Sequence, residues 1–190
     1  MTKNLIILID IIQVMKICLY GSGSENTPKE FTDIGYELGL KLALNNHSLV
    51  FGGGNDGMMG AVARGVFEKG GEIIGIAPEW IGQFDDDFKN CSQYIKTDSM
   101  DERKSLFLEK SDAFVIVPGG LGTLDEFFEI IVLKFLKRHE KRIILFNING
   151  FYDTLLLMLD EMSNQGFIRE GGEDIFKVAT TIDEVLEFLD

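Results

Sequence analysis

Residues 113–129 read AFVIVPGGLGTLDEFFE, and this stretch decides the fold class of the chain. Ala113 to Val117 is an unbroken apolar run, which predicts a strand buried on both faces of a sheet. A glycine-rich turn follows at residues 118–122, and a helical pattern begins near Leu124. A strand, a tight turn and a helix in this order are typical of α/β proteins with a parallel sheet.

The glycine turn has features that favour an anion. Glycine lets backbone N–H groups face outward and lets a ligand approach without meeting a Cβ atom. The first amides of the following helix have no partner within the helix and lie at the positive end of its dipole. One hypothesis is therefore a phosphate cradle at this turn. The other is a strand-to-helix connection with nothing bound, and three glycines do not decide between them.

Two upstream segments repeat the pattern. Lys16 to Tyr20 predicts the first core strand, which ends in the turn Gly21-Ser22-Gly23-Ser24. Leu49 to Phe51 predicts a second strand, which opens into a glycine turn at residues 52–57. Met58-Met59 stand where a Walker A loop has its Lys-Ser/Thr pair, so magnesium-dependent NTP hydrolysis has no support.

Strands and helices alternate along the rest of the chain. Further strands are predicted at residues 72–77, 142–147 and 175–179, and residues 78–97 are predicted to be irregular. We expect a Rossmann-like three-layer sandwich, an α/β fold whose mostly parallel sheet has helices on both faces. Ligands bind at the carboxyl ends of such strands, where all three glycine turns fall.

Length and composition set the limits of this interpretation. The 190 residues suit one compact domain over residues 15–190, with residues 1–14 as an N-terminal extension. A net charge of −13 argues against nucleic acid as a partner, because phosphate backbones need clustered Lys and Arg. The apolar run at the N-terminus is interrupted by Asp10 and is too short to span a bilayer, so no membrane association is expected.

The cysteine pattern bears on location and metal content. Cys18 and Cys91 are far apart, without a CxxC motif or the His spacing of a zinc site. We expect both to be reduced in a cytoplasmic protein that has no metal site and no cofactor.

Ser99 and Glu102 fit a capping box, which predicts a helix over residues 99–110. At helical spacing, Arg103 and Lys104 fall inside the apolar arc of that helix. A buried cation needs an anionic partner, so Arg103 is expected to point at a ligand or a carboxylate. Lys104 more simply extends its ammonium group to water from the edge of the arc.

Glu126 has two interpretations. It lies in the first turn of a mostly apolar helix, where it could meet Arg103 above the glycine loop. Thr123 and Glu126 also satisfy the capping-box pattern, in which the carboxylate folds back onto the backbone. Spacing favours the cap but does not settle the question.

Three signatures together resemble the Lonely Guy (LOG) family of cytokinin-activating phosphoribohydrolases, often labelled lysine decarboxylase-like. The resemblance covers roughly Met15 to Ile168 and rests on these segments: Gly52-Gly53-Gly54 to Gly60, Met100-x-x-Arg103-Lys104, and Pro118-Gly119-Gly120-x-Gly122-Thr123-x-x-Glu126. The chain departs from the family at Val132-Leu133-Lys134-Phe135, where many members have Thr-Trp-Ala-Gln.

The resemblance implies a Rossmann-like homodimer or larger homo-oligomer that hydrolyses a nucleoside 5′-monophosphate to free base and ribose 5-phosphate. Arg103 and Glu126 would be the catalytic pair. Residues that would bind the nucleotide substrate are Gly21, Ser22, Gly53, Gly54, Met100, Lys104, Gly119, Gly120, Gly122 and Thr123. The resemblance leaves open whether the base is adenine or an N6-prenylated adenine.

Two other functions fit parts of the sequence pattern. Related folds carry nucleotides or the molybdenum cofactor without turnover, and fold alone does not exclude such a carrier. A lysine decarboxylase would hold pyridoxal phosphate on a Schiff-base lysine, and no lysine of this chain is marked out for that role. Arg103 and Glu126 favour the enzyme over the carrier.

Overall fold

A computed structural model describes residues 14–83, 87–169 and 175–190. These residues form one sheet of seven parallel strands with helices on both faces, which confirms the predicted three-layer α/β fold. The predicted N-terminal extension lies outside the described residues apart from Val14. The strands are β1 (Lys16–Tyr20), β2 (Ser48–Phe51), β3 (Ile73–Pro78), β4 (Gln93–Thr97), β5 (Ala113–Ile116), β6 (Arg142–Phe146) and β7 (Lys177–Ala179).

Six α-helices connect or follow these strands in the described part of the chain. They are α1 (Lys29–Leu44), α2 (Gly57–Glu68), α3 (Met100–Lys110), α4 (Leu121–Phe135), α5 (Asp153–Asn164) and α6 (Ile182–Leu189). Two short 3₁₀ helices, Glu79–Gln83 and Ile148–Gly150, follow β3 and β6.

The strand order fixes where a ligand site can form. The order is β4-β3-β2-β1-β5-β6-β7, so the chain moves outward from β1 to β4 and then returns to pair β5 with the other side of β1. Connections leave β1 and β5 in opposite directions, which opens a crevice outside their carboxyl ends. Tyr20 pairs with Ile116 in the register, so the two strands end at the same level.

Each face of the sheet has its own apolar core. One core packs α1, α2 and α6 on the sheet through residues such as Leu38, Val62 and Val185. The other contains Phe107 of α3 and Phe127 of α4, with Leu156 of α5 packed against it. Burying such side chains contributes about 1.5–3 kcal/mol each to folding, so both layers of helices are fixed to the sheet.

The prediction that residues 78–97 are irregular is wrong in part. Residues 93–97 form β4, which pairs with β3 at one edge of the sheet. Gln93 and Lys96 are exposed there and Thr97 is buried, so the strand lacks the continuous apolar run of β1 or β5. An edge strand has one unpaired side and a solvated face, which leaves a weak hydropathy signal.

Three further observations concern the described residues. None of their helices is both long and apolar enough to cross a membrane. Within them, no group of three or more His, Cys, Asp or Glu side chains could hold a metal ion. Cys18 is buried and Cys91 is partly buried, and neither forms a disulfide bond within the described residues.

Candidate active site

The turns after β1 and β5 meet at the crevice. The N–H group of Ser22 donates a hydrogen bond to the carbonyl oxygen of Pro118 at 3.0 Å. A Cβ atom on Gly119 would lie 2.1 Å from Thr123 Oγ1 and 2.9 Å from the Ser22 nitrogen. Only glycine therefore lets the two turns pack this closely.

Helix α4 begins three residues before the position that the sequence predicts. Gly120 is its N-cap and has no side chain that could cap the helix, so no N-cap side chain occupies the amides of the first turn. A Cβ atom on Gly120 or Gly122 would meet no atom within 4 Å, so the space beside these amides is open. The helix start can therefore receive an anion.

The capping interpretation of Glu126 is wrong. Because Gly120 is the N-cap, the third helical position is Thr123, and Glu126 lies almost a turn further along α4. Its side chain is buried and lines the crevice.

The crevice forms a cavity of about 910 Å³. Eight residues that the sequence assigns to the site line it: Gly21, Ser22, Met100, Arg103, Gly120, Gly122, Thr123 and Glu126. The cavity thus joins the turn after β1, the start of α3 and the start of α4.

Four other residues assigned to the site lie beside the cavity. Gly119 supports the loop contact described above. Gly54 lines a smaller neighbouring cavity of about 30 Å³, which also contacts Arg103. The carbonyl oxygen of Gly53 accepts a hydrogen bond from the N–H group of Phe88 at 2.8 Å. The ammonium group of Lys104 contacts Asp125 and Glu129 instead of the cavity.

Arg103 and Glu126 form a buried ion pair at the cavity wall. Arg103 Nη2 lies 3.4 Å from Glu126 Oε1, and the two side chains are 8% and 10% exposed. The guanidinium carbon of Arg103 lies 5.2 Å from the ring centre of Phe107, a cation–π contact. Arg103 Nε has no hydrogen-bond partner among the described residues, so the guanidinium keeps a donor unused.

Gly52 leaves the space that this guanidinium occupies. A Cβ atom at residue 52 would lie 2.5 Å from Arg103 Nη2. The glycine turn after β2 thus helps to set the position of Arg103.

Burial dominates the ionisation of Glu126. Its pKa is raised from 4.5 to about 7, because removal from water outweighs the attraction of the Arg103 guanidinium. Asp125 and Glu129 raise this pKa further, and Lys104 lowers it. Near neutral pH the residue therefore populates both its acid and its carboxylate form.

Sequence reasoning missed other residues of the cavity wall. They are Gly23, Ser24, Glu25, Asn26, Asp56, Met59, Ile81 and Asp125. Most of them follow the carboxyl ends of β1, β2 and β3, so the rule that places ligands at that edge could have found them. Asp125 directly precedes Glu126 and could have been found from the helix start alone.

Comparisons with known proteins agree with this architecture. Residues 59–189 match the sequence model of a family described as "possible lysine decarboxylase". A protein of Oryza sativa subsp. japonica named a probable cytokinin riboside 5′-monophosphate phosphoribohydrolase is 34% identical over 175 residues, which are 92% of this chain and 72% of the relative. A cytokinin riboside 5′-monophosphate phosphoribohydrolase of Arabidopsis thaliana is 33% identical over 175 residues, 92% of this chain and 81% of the relative.

A solved structure shares the fold. The molybdenum cofactor binding protein of the phototrophic bacterium Rippkaea orientalis superposes with a TM-score of 0.71, covering 93% of this chain and 96% of that chain. Its sequence is 22% identical, so the likeness concerns the fold alone.

Proposed function

The chain belongs to the LOG family of phosphoribohydrolases, also described as lysine decarboxylase-like, and from that premise we propose that it hydrolyses the N-glycosidic bond of a nucleoside 5′-monophosphate. The products are the free base and ribose 5-phosphate. Two relatives are named for action on cytokinin riboside 5′-monophosphates, which makes an N6-prenylated adenine the first base to test, with adenine itself second.

The observation that carries this proposal is the Arg103–Glu126 pair on the wall of a cavity of about 910 Å³. The open amides at the start of α4 would bind the 5′-phosphate, because they carry partial positive charge and have no partner within the helix. Gly120, Gly122 and Thr123 lie at these amides and line the same cavity as the pair. A phosphate held there would bring the ribose towards Glu126.

The chemistry requires a negative charge near the sugar. As the bond from C1′ to the base nitrogen breaks, its electron pair leaves with the base and positive charge builds on the ribose. The Glu126 carboxylate stabilises that charge and accepts a proton from the water whose oxygen bonds to C1′. The departing base takes up a proton from solvent, and Glu126 returns its proton to solvent, so that one water is consumed for each bond broken. Arg103, which lines the same cavity, holds an anionic group or assists the departure of the base.

Replacing Glu126 tests this mechanism. We expect Glu126→Gln to lower the rate of base release by about 10²–10⁴-fold, because the amide cannot accept the proton of water. Purified protein is incubated with AMP or with N6-isopentenyladenosine 5′-monophosphate, and the free base is measured by chromatography. Glu109→Gln is the matched control, since Glu109 is exposed on α3, and it should leave the rate unchanged.

A non-catalytic nucleotide or molybdenum-cofactor carrier is the alternative outcome of the same experiment. Trp80 is the sole tryptophan and precedes Ile81 of the cavity wall, so its fluorescence can report binding. Nucleotide binding without release of base from the wild-type protein would favour a carrier. Wild-type rates in the Glu126→Gln protein would remove Glu126 from the mechanism.

A further inference from the structure

Lys104 stands at the contact between α3 and α4, the two helices that supply the ion pair. Its Nζ lies 2.7 Å from Asp125 Oδ2 and 2.8 Å from Glu129 Oε2. The Lys104 side chain is 17% exposed, whereas Asp125 and Glu129 are 59% and 36% exposed, so both ion pairs remain partly solvated. Both partners raise the pKa of Lys104, which therefore keeps its charge.

The two carboxylates that Lys104 contacts are the neighbours of Glu126 on α4. Asp125 precedes Glu126 directly, and Glu129 follows it by one helical turn. Each of these negative charges raises the pKa of Glu126, whereas Lys104 lowers it. The positive charge of the Lys104 ammonium group therefore offsets the negative charges of Asp125 and Glu129 on either side of the buried Glu126 carboxyl.

The other titratable groups that face Glu126 come from α3 and β1. Arg103 of α3 is its ion-pair partner. Cys18 and Tyr20 of β1 interact with it electrostatically, and burial raises the pKa of both well above the usual range. These two groups stay neutral at physiological pH, so Arg103 and Lys104 supply the positive charge around Glu126.

We propose that Lys104 is a positioning residue that acts through Glu126 and does not touch the substrate. It ties α3 to α4, so that Arg103 and Glu126 remain opposite each other, and it neutralises the two carboxylates beside Glu126. The proposal rests on the proposed function for its catalytic consequence. The electrostatic effect of Lys104 on the titration of Glu126 does not depend on the proposed function.

This role differs from the one that the family resemblance assigns to Lys104. A substrate ligand needs a free donor in the cavity, but the ammonium group is already bonded to two carboxylates. The residues that line the cavity include its neighbour Arg103 and its partner Asp125 but not Lys104 itself.

The first test measures the Glu126 carboxyl directly. Protein labelled with ¹³C at the glutamate side-chain carboxyl is titrated by NMR, and the Glu126 signal is assigned by its absence from Glu126→Gln. In Lys104→Met we expect the Glu126 titration midpoint to rise by about one pH unit, because the two flanking charges lose their counter-ion. Lys104→Arg should keep the wild-type midpoint, and Glu129→Gln should lower it.

The second test measures base release against pH in the same variants. A midpoint raised by about one unit reduces the ionised fraction of Glu126 at pH 7 about fivefold, and kcat/KM should fall by that factor. The loss should disappear by about pH 9, where the carboxyl is ionised in both proteins. KM for the nucleotide should stay within about twofold, since no ground-state contact is removed.

The outcomes separate this proposal from the proposed function. An unshifted Glu126 midpoint in Lys104→Met, or a Glu129→Gln midpoint that rises, would overturn the electrostatic role. A KM raised about tenfold with an unchanged pH profile would instead make Lys104 a substrate ligand. If no variant and no wild-type protein releases base, the proposed function fails while the NMR titration still tests Lys104. Should Lys104→Met not fold, Lys104→Arg and Glu129→Gln carry the same comparison.

Discussion

Glu126 lies in a buried position that disfavours the ionised form of its carboxyl group. Its carboxyl is buried, and burial holds its pKa at about 7 even with Arg103 Nη2 at 3.4 Å. Ionising the residue in the folded protein therefore costs free energy that ionising it in the unfolded chain does not. Such a cost is common where a side chain is kept for chemistry rather than for stability.

The cost should be measurable as a pH dependence of stability. The folded pKa of Glu126 is raised, so its contribution to stability is complete below about pH 4.5 and is lost as the pH rises to about 7. Over that range the wild-type protein should lose on the order of 3 kcal/mol of unfolding free energy relative to Glu126→Gln. Urea denaturation at several pH values from 4.5 to 8 measures the difference. A constant difference across these pH values would mean that the carboxyl is not buried in solution.

At the scale of the elements, the sequence predicts those that have a strong apolar pattern. The continuous runs of β1 and β5 mark buried central strands, and each is followed by a turn at the site. Strand β4 is not predicted, because the exposed residues Gln93 and Lys96 interrupt its apolar pattern. The start of α4 is predicted three residues too late for two reasons. Leu121 is apolar but 88% exposed, so it does not fit the apolar pattern of the buried face, and Gly122 has a low helix propensity.

The same limit applies to the site. The arc of α3 predicts that Arg103 points at a ligand or a carboxylate, and in the structure Arg103 pairs with the carboxylate of Glu126. The role of Glu126 could not be decided from spacing. A glutamate near the start of a helix fits a capping box, and a glutamate at the same place in the sequence can also line a ligand cavity. The position of the N-cap, Gly120, excludes the capping box, and this position could not be read from the sequence.

Alanine substitutions at two adjacent glycines before α4 should have different effects, one mainly on stability and the other mainly on phosphate binding. A Cβ atom on Gly120 would meet no protein atom within 4 Å, so Gly120→Ala should cost only the N-cap preference for glycine, less than about 1 kcal/mol, while weakening ribose 5-phosphate binding about tenfold or more. Gly119→Ala places its Cβ 2.1 Å from Thr123 Oγ1 and should destabilise the fold by about 1–3 kcal/mol. Thermal unfolding, monitored by circular dichroism, measures the change in stability. Isothermal titration calorimetry measures the affinity for ribose 5-phosphate. Undiminished affinity in Gly120→Ala would place the phosphate elsewhere.

At the scale of the whole molecule, α5 differs from the other α-helices of the described chain in what it buries. Helices α1, α2 and α6 contribute fully buried residues to their core, such as Leu38, Val62 and Val185. No residue of α5 is buried against the described part of the chain. Leu157 and Met158 are 68% and 47% exposed on this helix, and α5 shares an apolar groove of about 350 Å³ with Ile131 of α4.

We propose that a second copy of the chain covers this face of α5, in agreement with the homo-oligomer that the family resemblance implies. Leu157→Glu should then reduce the particle to the 21.3 kDa of a single chain, because a charge in an apolar interface loses its hydration. Leu44→Glu is the matched control: Leu44 is 61% exposed but ends α1 on the other face of the sheet, so it should leave the assembly intact. Light scattering coupled to size-exclusion chromatography gives the masses. A wild-type protein of 21.3 kDa at micromolar concentration would contradict the oligomer, whereas loss of assembly in Leu44→Glu alone would move the interface to the α1 layer.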